Sequence, residues 1–560
     1  MKRCPQCRRD YYDETLLYCL DDGTALLDGP ASLPSDEPRT ALLNNASDPR
    51  TAILSDPGTT QGNTSQRSKS GPLKWIVAGV LIVALAVGGY FAYRSYRSRT
   101  GDIRSIAVLP FENKSVDADT DYLSDGLGES LIFRLSQLPG LKVSPLSSVS
   151  RYKGAEGDVA KIAADLGVDS VMTGRMAKHG DDLSITVELV DVRNNASIWG
   201  ERYERKMSDL LALQREITTT ITQKLQLKLA GNEKGITKKY TDSNEAYQLY
   251  LNARFHFQRR TKDEIYKSID LYQQAVAIDP NFALAYAGLA EAWGVIPSYP
   301  YASPAECYPK AKIASARALE LDPELPEAHI MAGMIASTYD WDWATAEREF
   351  KRALDLDPNL AAAHYRYAWT YLSPLGRHDE AIAEMKKAMD LEPLLLIQGA
   401  NYAGVLMYAR RYDEAIAQAR KVVDLDPTFF GGKTWLCHTL IAAGRFDEVL
   451  PIAEPTLTSD NPFLSDAALA YAHTGQREKA LAIVDRMKEA EKTRYVMNSI
   501  VASIYAALGD KDASFSELEK GFQSRDWFIG RLRVDPSMDP LRDDPRFAAL
   551  EKRFNFPDKQ

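Results

Sequence analysis

The C-terminal half of this 560-residue chain is punctuated at regular intervals. Ile278-Asp279-Pro280, Leu321-Asp322-Pro323, Leu356-Asp357-Pro358, Leu391-Glu392-Pro393 and Leu425-Asp426-Pro427 close successive stretches, with prolines 43, 35, 35 and 34 residues apart. Proline lacks the N–H of the helical ladder and clashes with the preceding turn, so each triplet stops a helix. Inside the stretches, apolar and small residues recur at helical spacing. Ala346, Phe350 and Ala353 precede Pro358; Ala381, Met385 and Ala388 precede Pro393; Ala415, Ala419 and Val422 precede Pro427. Small residues let paired helices approach, and the larger one fills the space between units. A period near 34 with this patterning leaves one architecture: helix pairs stacked in a row, each touching its neighbours.

The turn phrases agree. Gly376-Arg-His-Asp-Glu-Ala381, Arg411-Tyr-Asp-Glu-Ala415, Gly444-Arg-Phe-Asp-Glu448 and Gly475-Gln-Arg-Glu-Lys-Ala480 start second helices with early acids, which suit the helix dipole. With these motifs, residues 243–520 resemble an array of about seven tetratricopeptide (TPR) repeats. The 43-residue interval places an insertion around Pro297 to Pro304. Pro451 and Pro455 interrupt the unit at 428–462, and residues 521–560 are expected to cap the last apolar face. The resemblance implies an all-α superhelix whose concave groove, lined by first helices, binds extended peptides. The motif maps Ile330, Met334, Tyr365, Trp369 and Met407 onto that groove. The Lys/Asn set by which chaperone-tail binders hold a carboxylate is missing, so the expected partner is an apolar peptide or a folded protein. The competing reading makes these five side chains inter-repeat core.

Ahead of the repeats, Trp75 to Tyr93 is a nineteen-residue run without a charge, WIVAGVLIVALAVGGYFAY. As a helix it spans roughly 28 Å, near the hydrocarbon thickness of a bilayer. Trp75, Tyr90 and Tyr93 stand at its ends, where amphipathic rings favour the interface. Residues 73–94 are therefore expected to form a single transmembrane helix. Arg67, Lys69 and Lys74 precede it and Arg94, Arg97, Arg99 and Arg104 follow it, so charge counting does not orient it. Thiolates near the N-terminus survive best in a reducing compartment. The N-terminus is accordingly expected in the cytoplasm and the C-terminal domains outside the cytoplasmic membrane.

Those thiolates are Cys4 and Cys7, a C-x2-C knuckle, and Cys19, with Asp22 where a second knuckle would carry its last cysteine. Residues 1–27 cannot bury enough surface to fold unaided, and tetrahedral zinc would supply the missing stabilisation. The segment resembles a short zinc ribbon, with Cys4, Cys7, Cys19 and Asp22 as the expected ligands. Residues 28–72 are rich in Ser, Thr, Asn, Asp, Gly and Pro and read as a disordered linker. Within it, Pro38-Arg-Thr40-Ala-Leu-Leu43 is nearly repeated as Pro49-Arg-Thr51-Ala-Ile-Leu54. Thr40 and Thr51 are possible phosphosites of the kind read by phosphothreonine-binding domains.

Residues 101–231 alternate between strand and helix patterns. The order is β-α-β-α-β-β-β-α, a sheet with helices on one side. IAVLPFENKS, DYLSDGLGESLIFRLSQLPGLKVSP, IAADLGVDSVMTGRM and LVDVRNNASIWGERYER resemble the TolB-amino-terminal-like domain of bacteria. That domain stands between a membrane helix and TPR repeats, and relatives carry a kinase or a DNA-binding domain on the cytoplasmic side. The resemblance implies a sensory or scaffolding role and brings no catalytic residue. Gly126-Leu127-Gly128 lacks the third glycine of a dinucleotide loop and sits within a helix.

The net charge of −9 offers no basic footprint for a phosphate backbone, so nucleic acid is an unexpected partner. No nucleophile–base pair or phosphate loop emerges. The chain reads as a multidomain, non-enzymatic scaffold: zinc ribbon, single transmembrane helix, α/β domain, TPR superhelix. The alternative is a transmembrane signalling or transcriptional regulator whose zinc knuckle contacts nucleic acid or a kinase.

Overall fold

The computed structural model describes residues 103–115, 120–136, 138, 140–154, 158–225, 240–457 and 465–557, and three two-residue strands ahead of them. The chain divides into two units, Met1–Leu85 and Ala86–Gln560. In the first, β1 (Lys2–Arg3), β2 (Asp10–Tyr11) and β3 (Leu27–Asp28) form an antiparallel sheet in the order β2-β1-β3. Lys2 pairs with Tyr11 and Asp28, and Arg3 with Asp10 and Leu27. Cys4, Cys7, Cys19, Asp22, Thr40, Thr51 and the run Trp75–Tyr93 lie outside the described residues. No helix among the described residues is long and apolar enough to cross a membrane.

The second unit begins with the α/β domain. Its strands are β4 (Ser105–Val108), β5 (Glu112–Asn113), β6 (Lys142–Val143), β7 (Ser170–His179), β8 (Asp182–Asp191) and β9 (Ala196–Lys206). The sheet runs β6-β4-β7-β8-β9, with β5 paired beside the far end of β7. The first three strands of that path are parallel and the last three antiparallel. The expected element order is present, with β5 and a four-residue helix, Leu146–Val149, added. The helices do not all lie on one side. All four residues of β4 are buried, so both faces of the parallel part are covered. β8 alternates along its length, as a strand with one wet face does, and β7 joins it from Met172 onward. Asp169 fixes the start of β4: its carboxylate accepts from the N–H groups of Arg104 (3.0 Å) and Ser105 (3.1 Å).

Helix Asp121–Ser136 joins this domain to the repeats. Gly126 lies so close to helix Asn244–Gln258 that a Cβ there would stand 3.1 Å from the Leu251 side chain. Tyr247 donates to Ser130 Oγ at 2.8 Å, and Arg254 Nε donates to Glu129 Oε1 at 2.8 Å. One hydrophobic cluster then runs through the whole array.

Eight helix pairs follow among the described residues, from Asn244–Gln258 with Lys262–Ile278 to Asn498–Ala507 with Lys511–Gln523. The stops work as their chemistry dictates. The carboxylates of Asp279, Asp357 and Asp426 accept from the N–H two residues on, at 3.0, 3.0 and 2.8 Å, turning the chain where proline ends the helix. In the third and fourth pairs a histidine pins the stop. His329 Nδ1 meets Glu349 at 2.7 Å and Nε2 meets Pro323 O at 2.9 Å. His364 repeats this with Glu384 (2.5 Å) and Pro358 O (2.9 Å). Pro451 and Pro455 break the sixth pair's second helix into Leu450–Ala453 and a 3-10 turn at Glu454–Thr456.

Candidate interaction site

The first helices of the third and fourth pairs end in π turns, Ala336–Asp340 and Tyr367–Leu372. Past the first π turn, Trp341 takes a left-handed φ of 58°, the position that Gly376, Gly444, Gly475 and Gly509 occupy in other pairs. A tryptophan there costs strain that glycine avoids, so its side chain must be strongly held. The holders are the end of the last repeat and the tail. Trp341 packs on Phe522 (4.8 Å) and Phe554 (4.4 Å), and Arg525 lies 3.8 Å above its ring.

Residues 526–557 do not stop at the last repeat. The 3-10 helix Pro536–Leu541 lies on helix Asn498–Ala507, as a cap would. The chain around it also reaches back to much earlier pairs. Trp343 Nε1 donates to Phe554 O at 2.9 Å. Arg410 holds Asp539 with both Nη atoms, at 2.7 and 2.8 Å. Arg531 is 1% exposed, yet no carboxylate pairs with it among the described residues. Its guanidinium sits 4.3 Å over Trp369 and donates to Trp369 O (3.2 Å) and Trp527 O (3.1 Å). Burial makes the arginine easier to deprotonate than usual. The aromatic face and two carbonyls are what compensate the charge.

All five residues mapped onto the groove are buried: Ile330, Met334, Tyr365, Trp369 and Met407. Tyr365 accepts from Asn401 at 2.7 Å, whose Oδ1 accepts from Trp435 Nε1 at 2.9 Å. Trp369 stands edge-on to Trp435 at 5.3 Å, beneath Arg531. Around these aromatics the concave side is interior, and the chain's own tail occupies it. Met407 differs, because it borders a cavity of about 350 Å³ between the tail and the later repeats.

From the repeats the cavity is walled by Met407, Tyr408, His438, Ile441, Leu469 and Ile500; from the tail by Phe528, Leu532, Asp535 and Met538. Its volume lies in the range of small-ligand and side-chain pockets. Among the described residues no lysine or arginine lines it. His438 Nε2 lies 2.9 Å from Asp466 Oδ1. Burial favours the neutral imidazole, but the Asp466 carboxylate outweighs it and the net shift is upward. Ser465 Oγ, buried at the wall, meets no partner among the described residues. Cys437, next to His438, is a buried thiol held protonated by desolvation, so the pair offers no nucleophile. Among the described residues no cluster of His, Cys, Asp and Glu is built to hold a metal.

Arg531 and Asp535 carry no mark in the sequence, and His438 beside Cys437 reads there as a surface or satisfied core histidine; the structure places it against Asp466 at the cavity wall. One signal was present: Trp527, Phe528, Ile529, Leu532, Val534, Met538, Leu541 and Phe547 are more apolar residues than a thin cap has use for.

A family model described as HilA/YgeH-like transcriptional regulator, second domain, matches residues 102–220. A tetratricopeptide repeat model matches residues 349–383. The chain is 34% identical over 187 residues to putative adenylate cyclase 3 of Rhizobium meliloti (strain 1021), covering 33% of this chain and 32% of that protein. It is 24% identical over 238 residues to the transcriptional regulator HilA of Salmonella typhimurium, covering 41% of each. The chain thus spans well under half the length of these curated relatives. Among solved structures it is similar to TTC0263, a thermophilic TPR protein of Thermus thermophilus: 18% identity, TM-score 0.29, 34% of this chain and 99% of that one. Another is YrrB, a TPR protein with an unusual peptide-binding site: 20% identity, TM-score 0.22, 33% of this chain and 89% of that one.

Proposed function

We propose that this chain is a non-enzymatic, membrane-anchored scaffold that gathers protein partners in bacterial signalling or envelope processes. The repeats are tetratricopeptide-like helix pairs, an architecture that displays surface and supplies no reacting group. One observation carries the docking reading: beside the stretch around Trp369 that the tail fills, a cavity of about 350 Å³ stays open at Met407 and His438. A partner's exposed loop or peptide enters there with an apolar side chain, which displaces water from Leu469, Ile500 and Phe528. Leu469→Trp in the full chain fills the cavity. Crosslinking in cells should lose the captured partners with this variant and keep them with Ile313→Ala, on a side chain 74% exposed. Equal capture by both variants defeats the docking reading.

Anchoring rests on the uncharged run Trp75–Tyr93. Release of the intact chain by carbonate washing would contradict it. The orientation, with N-terminus inside, predicts that alkaline phosphatase fused after Gln560 is active. Zinc at the N-terminus is supported by the register of β1 and β2: the six residues between them include Cys4 and Cys7. Thiolate ligation by Cys4, Cys7 and Cys19, with Asp22 as fourth ligand, predicts bound zinc that Cys7→Ser loses. Thr40 and Thr51 remain candidate phosphosites of the linker, to be sought by phosphoproteomics.

A second reading is favoured by the regulator-type match over residues 102–220. In it the repeats sense a signal and the N-terminal knuckle, with Arg3, Arg8 and Arg9, contacts nucleic acid or a kinase. Three cations give weak affinity at physiological salt. A mobility shift of DNA by the full chain, abolished by zinc chelation, would establish this reading over the scaffold.

A further inference from the structure

The two edges of the α/β sheet are unequal. At one edge β6 is two residues long; at the other β9 is eleven. β9 pairs with β8 along its whole length, and no described residue pairs with its outer side. Long open edges invite another strand, and proteins usually guard them with charge. β9 is charged, but in a particular order. Glu201-Arg202-Tyr203-Glu204-Arg205 becomes its own electrostatic complement when reversed about Tyr203. Glu201, Arg202, Glu204 and Arg205 are all exposed, whereas Trp199 and Tyr203 are buried.

We propose that β9 is a homodimer edge, pairing antiparallel with β9 of a second copy about a two-fold axis at Tyr203. In that register Glu201 faces Arg205 of the second copy and Arg202 faces Glu204 of the second copy. Symmetry repeats each contact, so opposite charges meet at every position flanking the axis. Directly opposed residues on one face are the pairs that stabilise a sheet. Slipping by one residue is penalised in both directions: one slip sets Glu201 against Glu204, the other Arg202 against Arg205. The charges thus select one register where a generic protective edge would repel every copy. Their present contacts are local: Glu201 accepts from Trp199 Nε1 at 3.2 Å and from the Tyr203 hydroxyl at 3.1 Å, and its second carboxylate oxygen is left for Arg205 of the second copy. Arg202 binds Glu204 within the same strand at 2.6 Å and Arg205 reaches Glu216 at 3.4 Å, and all four side chains are at least 41% exposed. Exposed pairs of this kind exchange partners at little cost. The isologous contact leaves the repeat array free to bind other proteins, and two copies would present two arrays.

The test is the mass of the purified full chain by sedimentation equilibrium, for four proteins. The wild type should be a dimer. Arg202→Glu and Glu204→Arg each set like charges opposite one another, twice by symmetry, and should weaken the dimer by about tenfold or more. The double variant Arg202→Glu/Glu204→Arg exchanges the charges and restores complementarity, so it should dimerise as the wild type does. A monomeric wild type overturns the proposal. So does a dimer indifferent to the single changes, which would point to another interface, or a double variant that fails to recover.

Discussion

Around Trp369 the inner face of the array is filled by the chain's own tail; around Met407 and His438, further along the same face, a cavity of about 350 Å³ remains. Both stretches are built by first helices of successive pairs, and both carry large aromatic and apolar side chains. What separates them is the path of residues 526–557. Arg531, Phe554 and Phe556 press into the earlier stretch, while Phe528, Leu532 and Asp535 only border the later one. The lesson concerns magnitude. Displacing a segment that buries Arg531, Leu541 and Phe554 would cost several side chains' worth of burial, at about 1.5–3 kcal/mol each. That exceeds what a modest peptide contact returns, so the filled stretch behaves as core and docking is proposed for the open stretch alone.

Substitutions can break this contrast, beginning with the strongest. Trp369→Ala removes the ring on which Arg531 rests and opens a void against Trp435. Urea unfolding should report a loss of about 3–5 kcal/mol, with partner capture per folded molecule unchanged. If Trp369→Ala kept wild-type stability and lost partners, the earlier stretch would be the docking surface after all. Arg531→Ala comes next. It leaves Trp369 O and Trp527 O without their donor and empties a packed site, but also removes an unpaired buried charge. A net cost of about 2–3 kcal/mol is expected, and Arg531→Lys should not recover it, because a point charge cannot lie flat on the indole.

The pH responses are smaller. His438 is shifted upward in the folded chain, so its pairing with Asp466 contributes stability that is full below the unfolded value, near 6.5. That contribution is lost as pH rises through the folded value. His438→Gln should flatten the stability profile above about pH 6.5, the unfolded reference; a profile unchanged by this substitution would place the pair outside the folding equilibrium. Asp539 moves the other way. Burial opposes its ionisation, but hydrogen bonds from Arg410 and Arg542 prevail and hold it below its usual range. Its contribution is present above about pH 4 and lost as pH falls further. The pair is partly exposed, at 38% and 46%, so Asp539→Asn should cost less than about 1 kcal/mol at neutral pH.

The repeats were legible because their signals are local. A stop such as Leu356-Asp357-Pro358 and a close-packing residue such as Ala353 act within one unit, and the period multiplies the signal. The tail was not legible for the opposite reason. Its contacts span 129 residues from Arg410 to Asp539, 162 from Trp369 to Arg531 and 211 from Trp343 to Phe554. No periodicity connects such pairs. The histidines carry a periodic signal of their own. His329 and His364 stand one 35-residue repeat apart, each with its glutamate partner twenty residues on, a pairing visible only when the two repeats are aligned. In the α/β domain the strand order of the hairpins was visible in their alternation. The covering of both sheet faces was not, since a run such as Ile106-Ala107-Val108 reads alike from either face.

Hydrogen exchange of the full chain, followed by mass spectrometry, tests the central claim most directly. If residues 526–557 are a permanent part of the array, peptides from Ile529 to Phe554 will be protected as strongly as those from Ala361 to Leu372. Rapid exchange of the tail alone, with the array still protected, would show a segment that comes and goes, and the filled stretch would have to be counted as a groove.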